Sequence, residues 1–199
     1  MADSQRTLFI ACGALAREFL AVSKASGWDD RVEITCLPAI WHNRPDKIPE
    51  GVRRKIRQGK KRFERIFVLY GDCGTGGELD RVLAEEGVER IEGPHCYQWF
   101  AGTVDFEKLM DEEPGTFFLT DYLARHFDRL ILDGFGIKQH PELRDLVFGN
   151  YRKLVYLAQT DDAELLKKAK AAAEQLNLEF VLRRTGYGEF ADFMTAKMA

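Results

Sequence analysis

The chain has 199 residues, 45% of them hydrophobic and 31% charged, enough apolar material for one folded domain of good size and too much for a disordered segment. Its 29 basic and 32 acidic residues nearly cancel, so neither nucleic acid nor an anionic membrane surface is expected as a partner. The apolar runs are strand-sized, far short of the roughly 20 residues of a membrane span, and the opening MADSQRTLFIAC lacks the basic and long apolar regions of a secretion signal. A cytoplasmic protein is expected.

Short apolar runs alternate with segments of helical period. Thr7 to Ala11 reads as a strand, followed by a helix from about Ala14 to Ser26 that stops at Gly27. Val32 to Leu37 is a second strand, leading into the polar loop HNRPDK. Ile48, Val52, Ile56 and Phe63 fall at helical spacing and predict an amphipathic helix, interrupted at Gly59. Arg65 to Tyr70 is the clearest strand and runs into GDCGTGG and a helix from about Gly77 to Glu86. Glu89 to Glu92 is a short strand, and GPHC opens one helix-like segment, CYQWFAGTVDFEKLMDE.

The second half repeats the pattern. Thr116 to Leu119 is a strand entering a long helix through Tyr122, His126, Phe127, Leu130 and Ile131. Gly134, Gly136 and Pro141 mark a connection. Lys153 to Ala158 is a strand, Thr160-Asp161-Asp162 an N-cap cluster, and Ala163 to Leu176 an amphipathic helix. Glu179 to Arg183 is a last strand before TGYGEF and a C-terminal helix. Strands separated by helices argue a single α/β domain, with a mostly parallel, Rossmann-like sheet of six or seven strands covered by helices on both faces.

In such sheets ligands bind beyond the carboxyl ends of the strands. The first strand ends in Cys12-Gly13, the third in Gly71-Asp72-Cys73-Gly74, and the fourth in Gly93-Pro94-His95-Cys96. Three thiols and an imidazole thus arrive at one edge from segments far apart in sequence. Each thiol precedes a helix, whose dipole favours the thiolate. Converging thiolates without an oxidising compartment suit zinc with an open position, or an iron–sulfur cluster with one unligated iron. Cys36, inside the second strand, is assigned to the core. His95 is a fourth ligand or a donor to one.

The glycine-rich GDCGTGG offers a further reading. Its backbone N–H groups at Gly74, Thr75 and Gly76 suit a small anionic group. No Walker or dinucleotide fingerprint is present, so ATP or NAD on a standard loop is not expected. His42 and Arg44 follow the second strand, Arg44 as a clamp for a carboxylate, and Tyr97 follows the fourth as a pocket wall. The run from Arg53 to Arg65 carries eight Lys or Arg, read as a charged outer helix face.

The motifs IACGAL, LPAIWHNRPDKI, LYGDCGTGG, GPHCYQWFAG, EPGTFFLTDYLARHF, FGNY and LVYLAQTDD together resemble the prokaryotic family called domain of unknown function 1638, over roughly residues 7 to 190. The resemblance implies a stand-alone cytoplasmic protein, often encoded near corrinoid-dependent methyltransferases and their activation proteins. The family's motif cysteines fall on Cys12, Cys73 and Cys96, with His95 alongside.

Three functional expectations follow. The leading one is a metal-dependent enzyme of transferase or lyase type. Cys12, Cys73 and Cys96 would hold zinc or an iron–sulfur cluster, and Cys73 and His95 would act on an anionic small molecule oriented by His42, Arg44, Gly74, Thr75, Gly76 and Tyr97, in corrinoid-linked one-carbon or methyl-group metabolism. The second is a non-catalytic accessory protein that binds a corrinoid or metal for a methyltransferase system. The third is a metal-free enzyme with Cys73 as nucleophile and His95 as base.

Overall fold

The computed structural model describes residues 6–199. In chain order the elements are β1 (Thr7–Cys12), α1 (Ala16–Ala25), β2 (Val32–Leu37), α2 (Ile48–Gly59), β3 (Arg65–Leu69), α3 (Glu78–Glu86), β4 (Glu89–Arg90), α4 (Cys96–Ala101), α5 (Thr103–Glu112), β5 (Thr116–Thr120), α6 (Asp121–Arg125), α7 (Leu143–Phe148), β6 (Lys153–Ala158), α8 (Ala163–Leu176), β7 (Glu179–Arg184) and α9 (Gly188–Met198). All strand pairings are parallel, as the strand–helix alternation requires. The seven strands divide between two sheets, of order β2-β1-β3-β4 and β5-β6-β7. The described residues likewise form two compact units, one of residues 6–96 and 190–199, the other of residues 97–189.

In the first unit β1 is buried over nearly its whole length, so it reads as an unbroken apolar run. Leu8 and Ile10 join Leu37, Ile66, Val68 and Tyr70 in a core with Ile48, Val52 and Ile56 of α2 and Leu79 and Leu83 of α3. The alternate residue Phe9 packs its ring on Phe19 of α1 at 5.3 Å and on Phe67 of β3 at 5.8 Å. Gly59 ends α2 and is required by close packing: a β-carbon there would stand 2.5 Å from Leu8 Cδ2. The basic run around α2 is held by carboxylates. Arg53 pairs with Glu50, Glu85 and Glu86, Arg57 and Lys60 with Glu86, and Arg62 with Glu33.

In the second unit Leu119, Leu154 and Tyr156 of the sheet pack with Leu165, Ala169, Ala172 and Leu176 of α8. The N-cap of α8 is Asp162, whose carboxylate accepts from the amides of Glu164 and Leu165. Two segments expected as single helices are divided. The first breaks at Gly102, whose positive φ of 84° ends α4 and starts α5 in a new direction. The second stops at Arg125 and resumes as one π-helical turn, Asp128–Leu132. Among the described residues no helix is long and apolar enough to cross a membrane.

Candidate functional site

The order β2-β1-β3-β4 places the reversal of winding between β1 and β3, and the crevice beyond their carboxyl ends is the ligand position of open parallel sheets. Cys12 is the last residue of β1, and Cys73 follows β3 by four residues. The loops are fastened to one another by backbone hydrogen bonds. The Asp72 amide donates to the Gly93 carbonyl (3.0 Å) and the Cys73 amide to the Pro94 carbonyl (2.8 Å). Gly71 makes this approach possible, since a β-carbon there would lie 2.9 Å from Gly93 O and 3.0 Å from His95 N. On the other flank the Gly13 position lies against the Leu37 carbonyl, and Gly74 lies against the ring of Pro45.

All four cysteines are free thiols and half-buried. Cys12, Cys73 and Cys96 interact electrostatically with one another. Burial pushes each thiol above its ordinary pKa, Cys73 to about 12 and Cys96 well up; neighbouring thiols add to the effect at Cys73 and Cys96, and Glu18 adds to it at Cys12. The expectation that helix termini would favour the thiolates is therefore corrected. Cys12 and Cys73 precede tight turns instead of long helices, and the single amide reaching Cys12 sulfur, from Ala14 at 3.5 Å, does not offset desolvation. Cys36, expected in the core, is half-buried and interacts with Cys12, with its thiol raised to about 11 by burial. Among the described residues no three His, Cys, Asp or Glu side chains are grouped so as to hold a metal ion as they stand.

Cys73 is held at φ 51°, in the left-handed region that disfavours side chains. The other described non-glycine residue there is Asn177, the ordinary C-cap of α8. Glycines take the same conformation at positions 74, 76 and 77, which is why the segment is glycine-rich. A thiol kept where glycine would be cheaper is local strain of the kind that gathers at functional sites.

Two residues at the crevice were not singled out from the sequence. Tyr70, immediately after β3, is 3% exposed, and its buried hydroxyl makes no well-formed hydrogen bond. The group it meets is the Cys12 thiol, and burial drives the phenol far above its ordinary pKa. Glu18 of α1 is 5% exposed and its carboxylate acts on both Cys12 and Cys96. Its signal was legible: position 18 lies on the apolar stripe of Leu15, Phe19 and Val22, where a carboxylate has no packing reason to be.

The expected anion loop is already filled from within. The Asp72 carboxylate accepts from the amides of Gly77 (2.8 Å), Gly74 and Gly76 (3.2 Å each) and from the Thr75 hydroxyl (2.8 Å). These donors hold Asp72 below the usual carboxylate range. The amides of Gly74 and Gly76 and the hydroxyl of Thr75 are thus spent on the protein's own anion. His95 is half-buried and His42 exposed. Desolvation lowers the pKa of both imidazoles below the ordinary histidine value. Arg44 is 61% exposed and pairs with Asp46 at 3.5 Å. Tyr97 stacks on Phe118 at 5.5 Å within the second unit, against its apolar core.

Two all-parallel sheets whose strands are linked by helices define the class: an α/β protein whose first sheet reverses its winding between β1 and β3. The family model described as "Protein of unknown function (DUF1638)" matches residues 36–194, and the chain belongs to that family. The matched span includes Cys73, His95 and Cys96 and begins after Cys12. Comparison with curated proteins and with solved structures finds no match.

Proposed function

We propose that the crevice binds zinc or an iron–sulfur cluster through Cys12, Cys73 and Cys96, and that the protein is a small-molecule enzyme built on that centre. The observation that carries this reading is that three thiols from distant segments lie within electrostatic reach of one another, two of them at or just past the ends of the strands that flank the winding reversal. The strain at Cys73 supports it independently. The thiols do not form a closed cage as they stand. Neutral thiols have no charge to draw them around a common centre, and one χ1 step moves a sulfur by about 3 Å. A soft cation supplies the charge and displaces the thiol protons.

Three sulfur ligands leave one coordination position open, and such a centre polarises a thiol, water or carbonyl bound there. Glu18 is the group at hand to take the substrate's proton, and the neutral Tyr70 hydroxyl to donate a hydrogen bond to it. Arg44, on the loop beside Gly74, is available to an anionic end of the substrate. The chemistry suits a transferase or lyase. Activation of thiols at metal–thiolate centres agrees with the corrinoid-linked one-carbon or methyl-group setting that the family resemblance implies. The metal-free alternative draws less support: burial holds Cys73 near 12, and Arg90 offsets only a small part of that shift.

Anaerobic purification with a visible spectrum and metal analysis tests the proposal. A brown protein indicates a cluster, and a colourless one containing zinc a Lewis acid. Cys12→Ala, Cys73→Ala and Cys96→Ala should each lose the metal, and Cys36→Ala should keep it. Metal content unchanged in all three, or stable binding with no turnover of thiol or methyl substrates, would remove the enzyme reading.

A further inference from the structure

The second unit carries a groove of about 440 Å³ between the end of α6, the π-helical turn and α8. That volume falls in the range of small-molecule sites. Its cationic lining is Arg125, Arg129 and Lys168, with Gln175 as a further polar group. Lys168, Ala171 and Gln175 recur at helical spacing along one face of α8, and the small Ala171 and Ala124 leave the space open between the longer side chains.

The charge arrangement is unlike that of the first unit, where Arg53, Arg57, Lys60 and Arg62 are paired with carboxylates. Among the described residues no carboxylate lies within ion-pair distance of Arg125, Arg129 or Lys168. The one carboxylate lining the groove, Asp128, is engaged by Lys138 at 3.6 Å. Three like charges around one concavity repel, at a cost that an anionic occupant would reverse.

A second observation marks the same place. The turn Asp128–Leu132 is π-helical, with the Asp133 amide donating to the Asp128 carbonyl at 2.8 Å. Such widened turns are rare and gather at functional sites. This one places Arg129 beside Arg125 on the groove.

We propose that this groove binds a phosphorylated small molecule, two guanidinium groups gripping its phosphate oxygens and Lys168 adding a third charge. Paired guanidiniums match phosphate geometry, with forked N–H donors directed at two oxygens. The site is independent of the cysteine crevice, and its fate is separable from that of the metal proposal.

The test is titration calorimetry of the full-length protein with inorganic pyrophosphate, alongside citrate and a short single-stranded oligonucleotide. Saturable pyrophosphate binding is expected. Arg125→Gln and Arg129→Gln should each weaken it about tenfold, the scale of a lost charge-assisted hydrogen bond, and Lys168→Gln less. Arg81→Gln, on a surface ion pair in the first unit, should leave it unchanged. Circular dichroism and urea unfolding confirm that each variant is folded, and Lys168→Gln, an exposed helix position, provides a readout if an arginine variant is not. No saturable heat at millimolar pyrophosphate, equal affinity in the arginine variants, citrate bound as tightly, or binding of the oligonucleotide alone would each overturn the assignment.

Discussion

The Cys73 amide donates to the Pro94 carbonyl at 2.8 Å, tying the loop that carries one thiol to the loop that carries another two residues further on. Neither loop belongs to a helix or strand at that point. Their distance is set by this bond, by its neighbour from Asp72 to Gly93, and by the absence of a side chain at Gly71.

Gly71→Ala tests the joint directly. Its new methyl group meets backbone atoms of Gly93, Pro94 and His95 at 2.9 to 3.0 Å, and none of these can rotate away. A loss of about 1–3 kcal/mol is expected from the forced shift, measured as the urea midpoint. Metal retention should fall with it, because the Cys73 and Cys96 segments must part. A variant as stable as the parent would show that the loops yield freely.

Asp72→Asn gives a pH-dependent signature. The carboxylate is held below its ordinary pKa by three amides and a hydroxyl, so its contribution is fully present above the unfolded value near 4 and is lost as pH falls through the lower folded value. The parent should exceed the variant by about 1.5–3 kcal/mol at pH 7, the range for hydrogen bonds to a charged group. The difference should shrink between pH 7 and a pH below that folded value, as the folded carboxylate is protonated. Urea unfolding at both pH values checks it, and a gap that persists in acid would sink the account.

Tyr70→Phe separates stability from function. The buried hydroxyl lacks a well-formed partner, and such a group costs roughly 1–3 kcal/mol. The variant should therefore unfold at equal or higher urea concentration than the parent. If the hydroxyl serves the substrate, turnover falls while metal content stays. A destabilised Tyr70→Phe protein would mean that the contact with Cys12 is a real stabilising bond.

The thiols yield a prediction about protons. In the metal-free protein Cys73 titrates near 12 and the others are raised, so alkylation by iodoacetamide at pH 7 should be much slower than that of a free cysteine. Loading with zinc should release close to one proton per ligating thiol, read in a weakly buffered solution. Fast alkylation of the metal-free protein at pH 7 would contradict neutral, buried thiols.

Asp121→Ala probes the second unit. This buried carboxylate accepts from the Tyr156 hydroxyl (2.7 Å), the Gln159 amide (3.1 Å) and the Thr160 hydroxyl (2.5 Å). Truncation strands several buried donors at once and should cost about 3 kcal/mol or more. Loss of less than about 1 kcal/mol would indicate that water replaces the carboxylate.

The sequence by itself determined the parallel α/β class and the succession of six or seven strand segments along the chain, because apolar runs buried on both faces and helices of period 3.6 are local signals. It also marked Cys12, Cys73 and Cys96 as strand-end residues, and Thr160-Asp161-Asp162 as a helix-capping cluster, of which the fold uses Asp162. The division into two sheets was decided by tertiary pairing, which no local pattern encodes. The breaks at Gly102 and after Arg125 likewise depended on packing that overrides continuous helical periodicity. The glycine loop is a mixed case: its amides read as open to an anion, whereas a capping Asp72, the common role of an Asp at the start of such a turn, takes them up in the fold. The thiols' protonation was beyond the sequence. A pKa depends on how much solvent the finished fold removes, and here desolvation outweighs the few donors that local spacing could place.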